Sequence, residues 1–127
     1  MFNFSNQVFT GLVELLKANY VSLEIKGEYV DAPSNFPAVA FEEVFNVPSY
    51  LDNGGIKYAD VTYRVRVFAK TRTEAREIYS TIVDYLYSLN LIAKTYTVTP
   101  SMYGGRIYEI QSTFEGSVDK NGRFYRR

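Results

Sequence analysis

Two adjacent carboxylates, Glu42 and Glu43, are the best candidates for acid–base chemistry in the chain. A catalytic carboxylate pair must share a proton or a metal, which requires both groups on one side of the backbone. Residues 36–44 read as a β-strand, in which neighbouring side chains point to opposite faces. The pair is therefore expected to serve as two solvated or interface carboxylates. Nothing takes its place. The 127 residues include neither Cys nor His, which removes thiol nucleophiles, thiolate and imidazole metal sites and the Ser-His-Asp triad. No Asp-x-Asp spacing gathers oxygen ligands for a cation. Gly54-Gly55 and Gly104-Gly105 lack both the Lys-Ser/Thr and the G-x-G-x-x-G frame of a phosphate loop, and read as turns. The expectation is a protein with no catalytic activity, no cofactor and no bound metal.

The chemistry that remains is recognition. Tyr and Phe number 12 and 9, and interfaces between proteins favour Tyr, Phe and Arg. On the segment 58–70, Val61, Tyr63, Val65, Val67 and Ala69 share one parity, whereas Arg64, Arg66 and Phe68 share the other. An aromatic ring among arginines could stack a base of single-stranded nucleic acid. The polar parity of residues 106–118, however, is Glu109, Gln111, Thr113 and Glu115, and its acids repel a polyanion. Contact with protein is the stronger reading. The C-terminus is the most pointed local feature, with Arg123, Phe124, Tyr125, Arg126 and Arg127 following an Asn121-Gly122 turn and no acid from 120 onward. A short edge strand carrying such anchors suits a neighbouring subunit. Residues 46–57, with Pro48, Tyr50, Asp52, Asn53 and two glycines, read as a long exposed loop of the kind that meets a partner.

The elements that position these residues follow from periodicity. Residues 5–19 read as a helix with Ser5 as N-cap, Phe4 stapled to Phe9, and Val8, Leu12, Leu15 and Leu16 on one stripe. Residues 21–30 begin with strand alternation that Gly27 bends or ends, and 31–35 is a turn by composition. A second strand covers 36–44, with Pro37 at its start. The strand 58–70 runs into a helix whose Thr71 and Glu74 fit a capping box. Its core stripe is Ala75, Ile78, Tyr79, Ile82, Val83, Leu86 and Leu89, and Asn90 supplies a left-handed stop. Residues 92–102 and 106–118 form a hairpin, and a final short strand covers 123–126. The expected architecture is a single α+β domain over residues 1–127, with both helices on one face of a mostly antiparallel sheet.

Composition sets the outer limits. Lys+Arg and Asp+Glu are 14 each, so binding DNA by bulk electrostatics is not expected. The balance hides a split: residues 1–60 hold three bases and eight acids, and residues 61–127 hold eleven bases and six acids. Opposite surfaces on one molecule suit head-to-tail self-assembly. Apolar runs are only a few residues long, so no membrane span is expected, and residues 1–7 lack the basic region and cleavage site of a secretory leader.

Three motifs in order give the chain a family likeness. Phe36-Pro37-Ala38-Val39 followed by Glu42-Glu43 is similar to the Phe-Pro-x-Val strand of the small tail terminator (tail completion, or minor capsid) proteins of long-tailed bacteriophages. The run 63–70 leading into the helix 75–89 resembles that family's central strand and helix, and 119–127 resembles its Asp-Gly-x-Tyr-Arg-Arg ending. Asn90 departs from the pattern, standing where a Gly often closes the second helix. The resemblance implies a structural virion protein, assembled in the bacterial host cytoplasm. Members of the family form a hexameric ring on the head-proximal end of the tail tube, which stops polymerisation of the tube. The implied partners are further copies of the chain, the tail tube protein and the head–tail connector, with double-stranded DNA only passing through the lumen. The alternatives are a head-completion or stopper protein of the neck and, from another class, a single-stranded nucleic-acid-binding α+β module.

Overall fold

Val61, Tyr63, Val65, Val67 and Ala69 alternate with more polar residues, and all five are buried. They lie on β3 (Gly55–Ala69), the central strand of a six-stranded sheet. The computed structural model describes residues 4–20, 24–26, 37–52, 55–100 and 107–126. The other strands are β1 (Glu24–Lys26), β2 (Ala38–Asp52), β4 (Ile92–Pro100), β5 (Tyr108–Asp119) and β6 (Phe124–Tyr125). Their order is β1-β2-β3-β5-β4, with β6 pairing β5. All pairings are antiparallel except that of β1 with β2. Helices α1 (Ser5–Asn19) and α2 (Arg72–Ser88) cover one face, as the α+β reading expects.

The core forms where these patterns meet. Val8, Leu12 and Leu16 of α1 and Ala75, Ile78, Ile82 and Leu86 of α2 are buried, helical spacing keeping each set on one stripe. They face β3, Val39 and Phe41 of β2, and Ile110, Phe114 and Val118 of β5. Burying a Leu, Ile or Phe completely stabilises by about 1.5–3 kcal/mol, so this one cluster holds the helices on the sheet. Phe9, Phe41 and Tyr63 stack in sequence across it, with ring centroids 5.9 and 5.1 Å apart. The Tyr85 hydroxyl of α2 donates to the Val8 carbonyl at 3.3 Å, tying one helix to the other. Among the described residues no helix is long and apolar enough to cross a membrane.

Helix ends obey local chemistry. Thr71 caps α2, its Oγ1 accepting from the Glu74 amide at 3.2 Å. At the other end Asn90 has φ 64, and the amides of Asn90 and Leu91 donate back to Tyr87 and Leu86, a Schellman closure. The start of α1 differs from expectation by one residue. Phe4 occupies the N-cap, its carbonyl accepting from Gln7 and Val8, and no side chain caps the helix. The Phe4 ring is held against Gly122, where any Cβ would meet it at 2.9 Å, so packing sets this boundary rather than a capping hydroxyl.

The larger departure concerns the expected loop 46–57, of which 46–52 and 55–57 are strand. β2 and β3 are 15 residues each and pair from Ala38↔Phe68 out to Asp52↔Gly55. Pro48 sits within β2, opposite Ala59 and beyond the three residues that pair with β1. A proline is tolerated there because, among the described residues, only β3 borders that stretch of β2. A bulge at Val44 shifts the register between Glu43 and Phe45. It leaves Val44 and Phe45 exposed, at 45% and 47%. The described part of the first strand is Glu24–Lys26; Gly27, the turn at 31–35, Phe36 and Gly104-Gly105 lie outside the described residues.

Candidate interaction surface

The face of the sheet away from the helices carries Arg64, Arg66 and Phe68 on β3 and Glu109, Gln111, Thr113, Glu115 and Ser117 on β5. The expected division of parities is therefore observed. Its electrostatics are internal, however. Arg64 Nη1 lies 2.7 Å from Glu42 Oε1, across the β2–β3 pair. Arg66 Nε lies 2.8 Å from Glu109 Oε2, with the Arg66 and Glu109 side chains only 9% and 15% exposed. The Arg66 guanidinium also stands over the Phe68 ring, 4.9 Å from its centroid.

Phe68 corrects an expectation. Instead of an exposed contact among arginines, it is 1% exposed and packed with Ala38 and Ile107 in a small second cluster. Its ring is a core element of the second face, not an available anchor. The carboxylate pair behaves as strand geometry requires. Glu42 engages Arg64 on this face, whereas Glu43 pairs in register with Tyr63 and accepts from Asn46 Nδ2 at 3.1 Å. Burial, and secondarily the charge of Glu43, pushes the Tyr63 phenol above its ordinary value. Among the described residues no group of His, Cys, Asp or Glu is arranged to hold a metal.

The C-terminal segment is folded around one carboxylate. Asp119 Oδ1 accepts from the amides of Asn121 and Arg123 at 2.9 and 3.0 Å. Its Oδ2 accepts from the Tyr125 hydroxyl at 3.2 Å. Gly122, at φ 85, takes the left-handed corner of this turn. The Arg123 amide is the main reason that the Asp119 carboxyl sits below its ordinary value, with Asn121 and Tyr125 adding to it. The turn returns β6 alongside β5, pairing Val118↔Phe124 and Ser117↔Tyr125. Asn90 Nδ2 then donates to the Phe124 carbonyl at 3.1 Å. Gly116 is needed nearby, since a Cβ there would meet Leu91, Tyr125 and Asn90 at 2.9, 3.2 and 3.3 Å.

This arrangement sorts the predicted contact residues. Phe124, expected as an anchor for a neighbour, is 9% exposed and belongs to the main core. It turns inward because Val118, its pairing partner, faces the helices. Tyr125 and Arg126 are exposed, as is Arg123, whose guanidinium stands 5.9 Å from the Tyr125 ring centroid. The observed strand is Phe124–Tyr125, shorter than the 123–126 expected. Tyr50 and Asp52 lie on β2, paired with Tyr58 and Gly55. Asn53 and Arg127 fall outside the described residues.

The two segments expected to meet a partner adjoin each other. Tyr125 packs edge-on against Tyr58 at 5.8 Å, and Tyr58 pairs with Tyr50 in the far half of the hairpin. The outer hairpin and the C-terminal strap thus meet at one end of the open face, around Tyr58, Asp119 and Tyr125. Sequence reasoning missed Asp119, Asn90, Glu109 and Tyr58 as organisers of this surface. An Asp two residues before Asn-Gly is a readable turn signal, whereas the partners of Glu109 and Tyr58 depend on strand register. No protein-family model matches the chain, and no curated protein matches it. Among solved structures it is similar to that of the bacteriophage SPP1 gp17 protein, at 17% identity and a TM-score of 0.44, over 87% of this chain and 88% of that one.

Proposed function

We propose that the chain is a structural protein of a long-tailed bacteriophage that acts by shape and contact, without catalysis. In this reading copies of it form a ring on the head-proximal end of the tail tube. The ring ends tube growth and offers its other side to the head–tail connector, while double-stranded DNA passes through unread. The observation that carries the reading is the closing run from Asp119 to Arg126. It has the order of the tail terminator ending, and it is built as a fixed strap that leaves Tyr125 and Arg126 outward. The internal pairing of Arg64 and Arg66 agrees with a lumen that does not grip its cargo.

The test is direct. Tail tubes that lack a terminator are incubated with the purified protein and imaged, with portal–adaptor complexes in a parallel sample. Extra density at one end of the tubes, together with arrested elongation, is the expected result. Density on the portal complex alone would move the protein to the neck as a stopper, and tubes that elongate unchanged would end the tail terminator reading.

A further inference from the structure

Lys94, Thr95, Tyr96 and Thr97 of β4 are all exposed, although neighbours on a strand point to opposite faces. Among the described residues β4 pairs with β5 alone. The middle of the strand is also bulged. Ala93 pairs with Phe114 and Thr95 with Thr113, which leaves Lys94 as the extra residue. Side chains hold the bulge from both faces. On the helix side Ser112 Oγ, fully buried, donates to the Thr95 carbonyl at 2.6 Å. That uses the one hydroxyl proton of the serine, so the Tyr79 hydroxyl donates to Ser112 Oγ, at 2.9 Å. On the open side Thr95 Oγ1 accepts from the Thr113 amide at 3.0 Å and meets Thr113 Oγ1 at 2.9 Å.

The bulge fixes what lies beside it. The Tyr79 and Tyr96 ring centroids are 5.1 Å apart, and those of Tyr79 and Phe114 6.3 Å. The Tyr96 and Tyr87 phenols both stand near enough to Tyr79 to push its ionisation up, behind burial as the leading cause. Tyr87 and Tyr96 are nonetheless 43% and 49% exposed. The charge around this shelf has one sign. Arg72, Arg76, Tyr79, Val83 and Tyr87 follow one flank of α2 at helical spacing, and the acids Glu74, Glu77 and Asp84 lie off that row. β4 contains Lys94 and no acid. Glu109 and Glu115 of β5 belong to the open face, away from Tyr96.

Exposed tyrosines beside bases, with no acid among them, fit a partner that brings carboxylates. The strand narrows the choice further. An extended polypeptide can bond to the backbone of β4 and lay alternate side chains on the tyrosine shelf, which a nucleic acid cannot do. A bulge and a lysine deter pairing with a like strand, whereas an acid-bearing strand is drawn to the lysine. We propose that β4, with Lys94 and the shelf of Tyr87 and Tyr96, is the docking surface for an acidic extended segment of another protein. The bonds that hold the bulge set this surface before the partner arrives, which lowers the cost of binding. The proposal goes beyond the ring reading and does not depend on it.

Three labelled probes test it on the intact protein: a short peptide of alternating Glu and Val, the same peptide with Lys for Glu, and an oligothymidylate. The acidic peptide should bind and the Lys peptide should not, with amide shifts confined to residues 92–98, Tyr79 and Tyr87. Lys94→Glu should weaken binding about fivefold and Tyr96→Ala about tenfold, whereas Tyr125→Ala, in the strap, should leave it unchanged. Urea unfolding of the two β4 variants, both at exposed positions, separates lost binding from lost fold. No binding of the acidic peptide, equal binding of the Lys peptide, or shifts elsewhere on the molecule would overturn the proposal. So would tighter binding of oligothymidylate at the same residues, or a dimer in native mass spectrometry that Lys94→Glu dissolves, since the occupant would then be nucleic acid or a second copy. A protein that caps tubes yet binds no acidic peptide would lose this proposal and keep the ring reading.

Discussion

Substitution of Asn90 separates two tasks that one residue performs. Its backbone, at φ 64, closes α2, and its side-chain amide donates to the Phe124 carbonyl of β6. Glycine performs the first task and not the second. Asn90→Gly keeps the left-handed closure and loses the hydrogen bond, for a net loss of about 1 kcal/mol. Asn90→Ala loses the bond and also places a Cβ in left-handed backbone, adding about 1 kcal/mol for a total of about 2 kcal/mol. Asn90→Asp tolerates the backbone, but its carboxylate has no proton to donate and faces a carbonyl oxygen. It should be no more stable than the glycine variant at neutral pH.

Urea unfolding gives the ranking, wild type above Gly above Ala, and each kcal/mol should move the thermal midpoint by about 4 °C in a chain of this size. Hydrogen exchange locates the effect. In Asn90→Gly, amides of the strap beyond Asp119 should exchange faster, while those of residue 90 and Leu91, bonded to Tyr87 and Leu86, keep their protection. A glycine variant as stable as wild type, with the strap equally protected, would refute the assignment of a tethering role to the Asn90 side chain.

Phe124→Ala empties a core position and should cost about 3 kcal/mol, whereas Tyr125→Ala, on the surface, should cost under about 1 kcal/mol in chemical unfolding. Assembly defects are therefore to be sought in Tyr125 and Arg126 variants, since removing 123–127 also removes Phe124 from the fold. The Asp119 carboxyl, depressed chiefly by the Arg123 amide, stabilises the strap above its ordinary value of 3.8 and loses that contribution as pH falls through the lower folded value. Amide shifts of Arg123 and Asn121 should hold constant above about pH 5 and move below about pH 4, and Asp119→Asn should abolish the transition. The Tyr63 phenol is raised mainly by burial and secondarily by Glu43, so its contribution is complete below the ordinary value of 10.0 and is lost as pH rises through the folded value. Tyr79 and Tyr85 are raised in the same direction, burial again leading. In the phenolate absorbance difference between wild type and Tyr63→Phe, the Tyr63 phenol should ionise only together with alkaline unfolding; its simple titration in the native protein would contradict the burial argument.

The helices and the inner face of β3 and β5 are legible in the sequence because a single period governs each. Burial of every fourth residue in Val8, Leu12 and Leu16, and of every second in Val61 to Ala69, is a local property that one chain segment states by itself. The stop at Asn90 is equally local. The outer half of the hairpin is not, because Pro48, Asp52, Asn53, Gly54 and Gly55 each disfavour strand when taken singly. Two facts outside local preference admit Pro48, Asp52 and Gly55. Pro48 has only one neighbouring strand among the described residues, and Asp52 and Gly55 pair with each other at the end of the β2–β3 ladder. Asn-Gly between paired strands is a strong hairpin signal. It stands in the sequence, but composition outweighs it until the pairing of the flanking strands is known.

The contact residues are less legible, and for a different reason. Exposure of Phe68 and Phe124 cannot be inferred from parity alone, because parity names a face and not what covers it. Phe124 lies on the helix face through its pairing with Val118, and Phe68 finds Ala38 and Ile107 on the other. The same logic bears on assembly. Once the outer hairpin and the strap adjoin through Tyr58 and Tyr125, they no longer provide two distant patches for a closed ring. A heterologous ring requires two patches that differ and point apart.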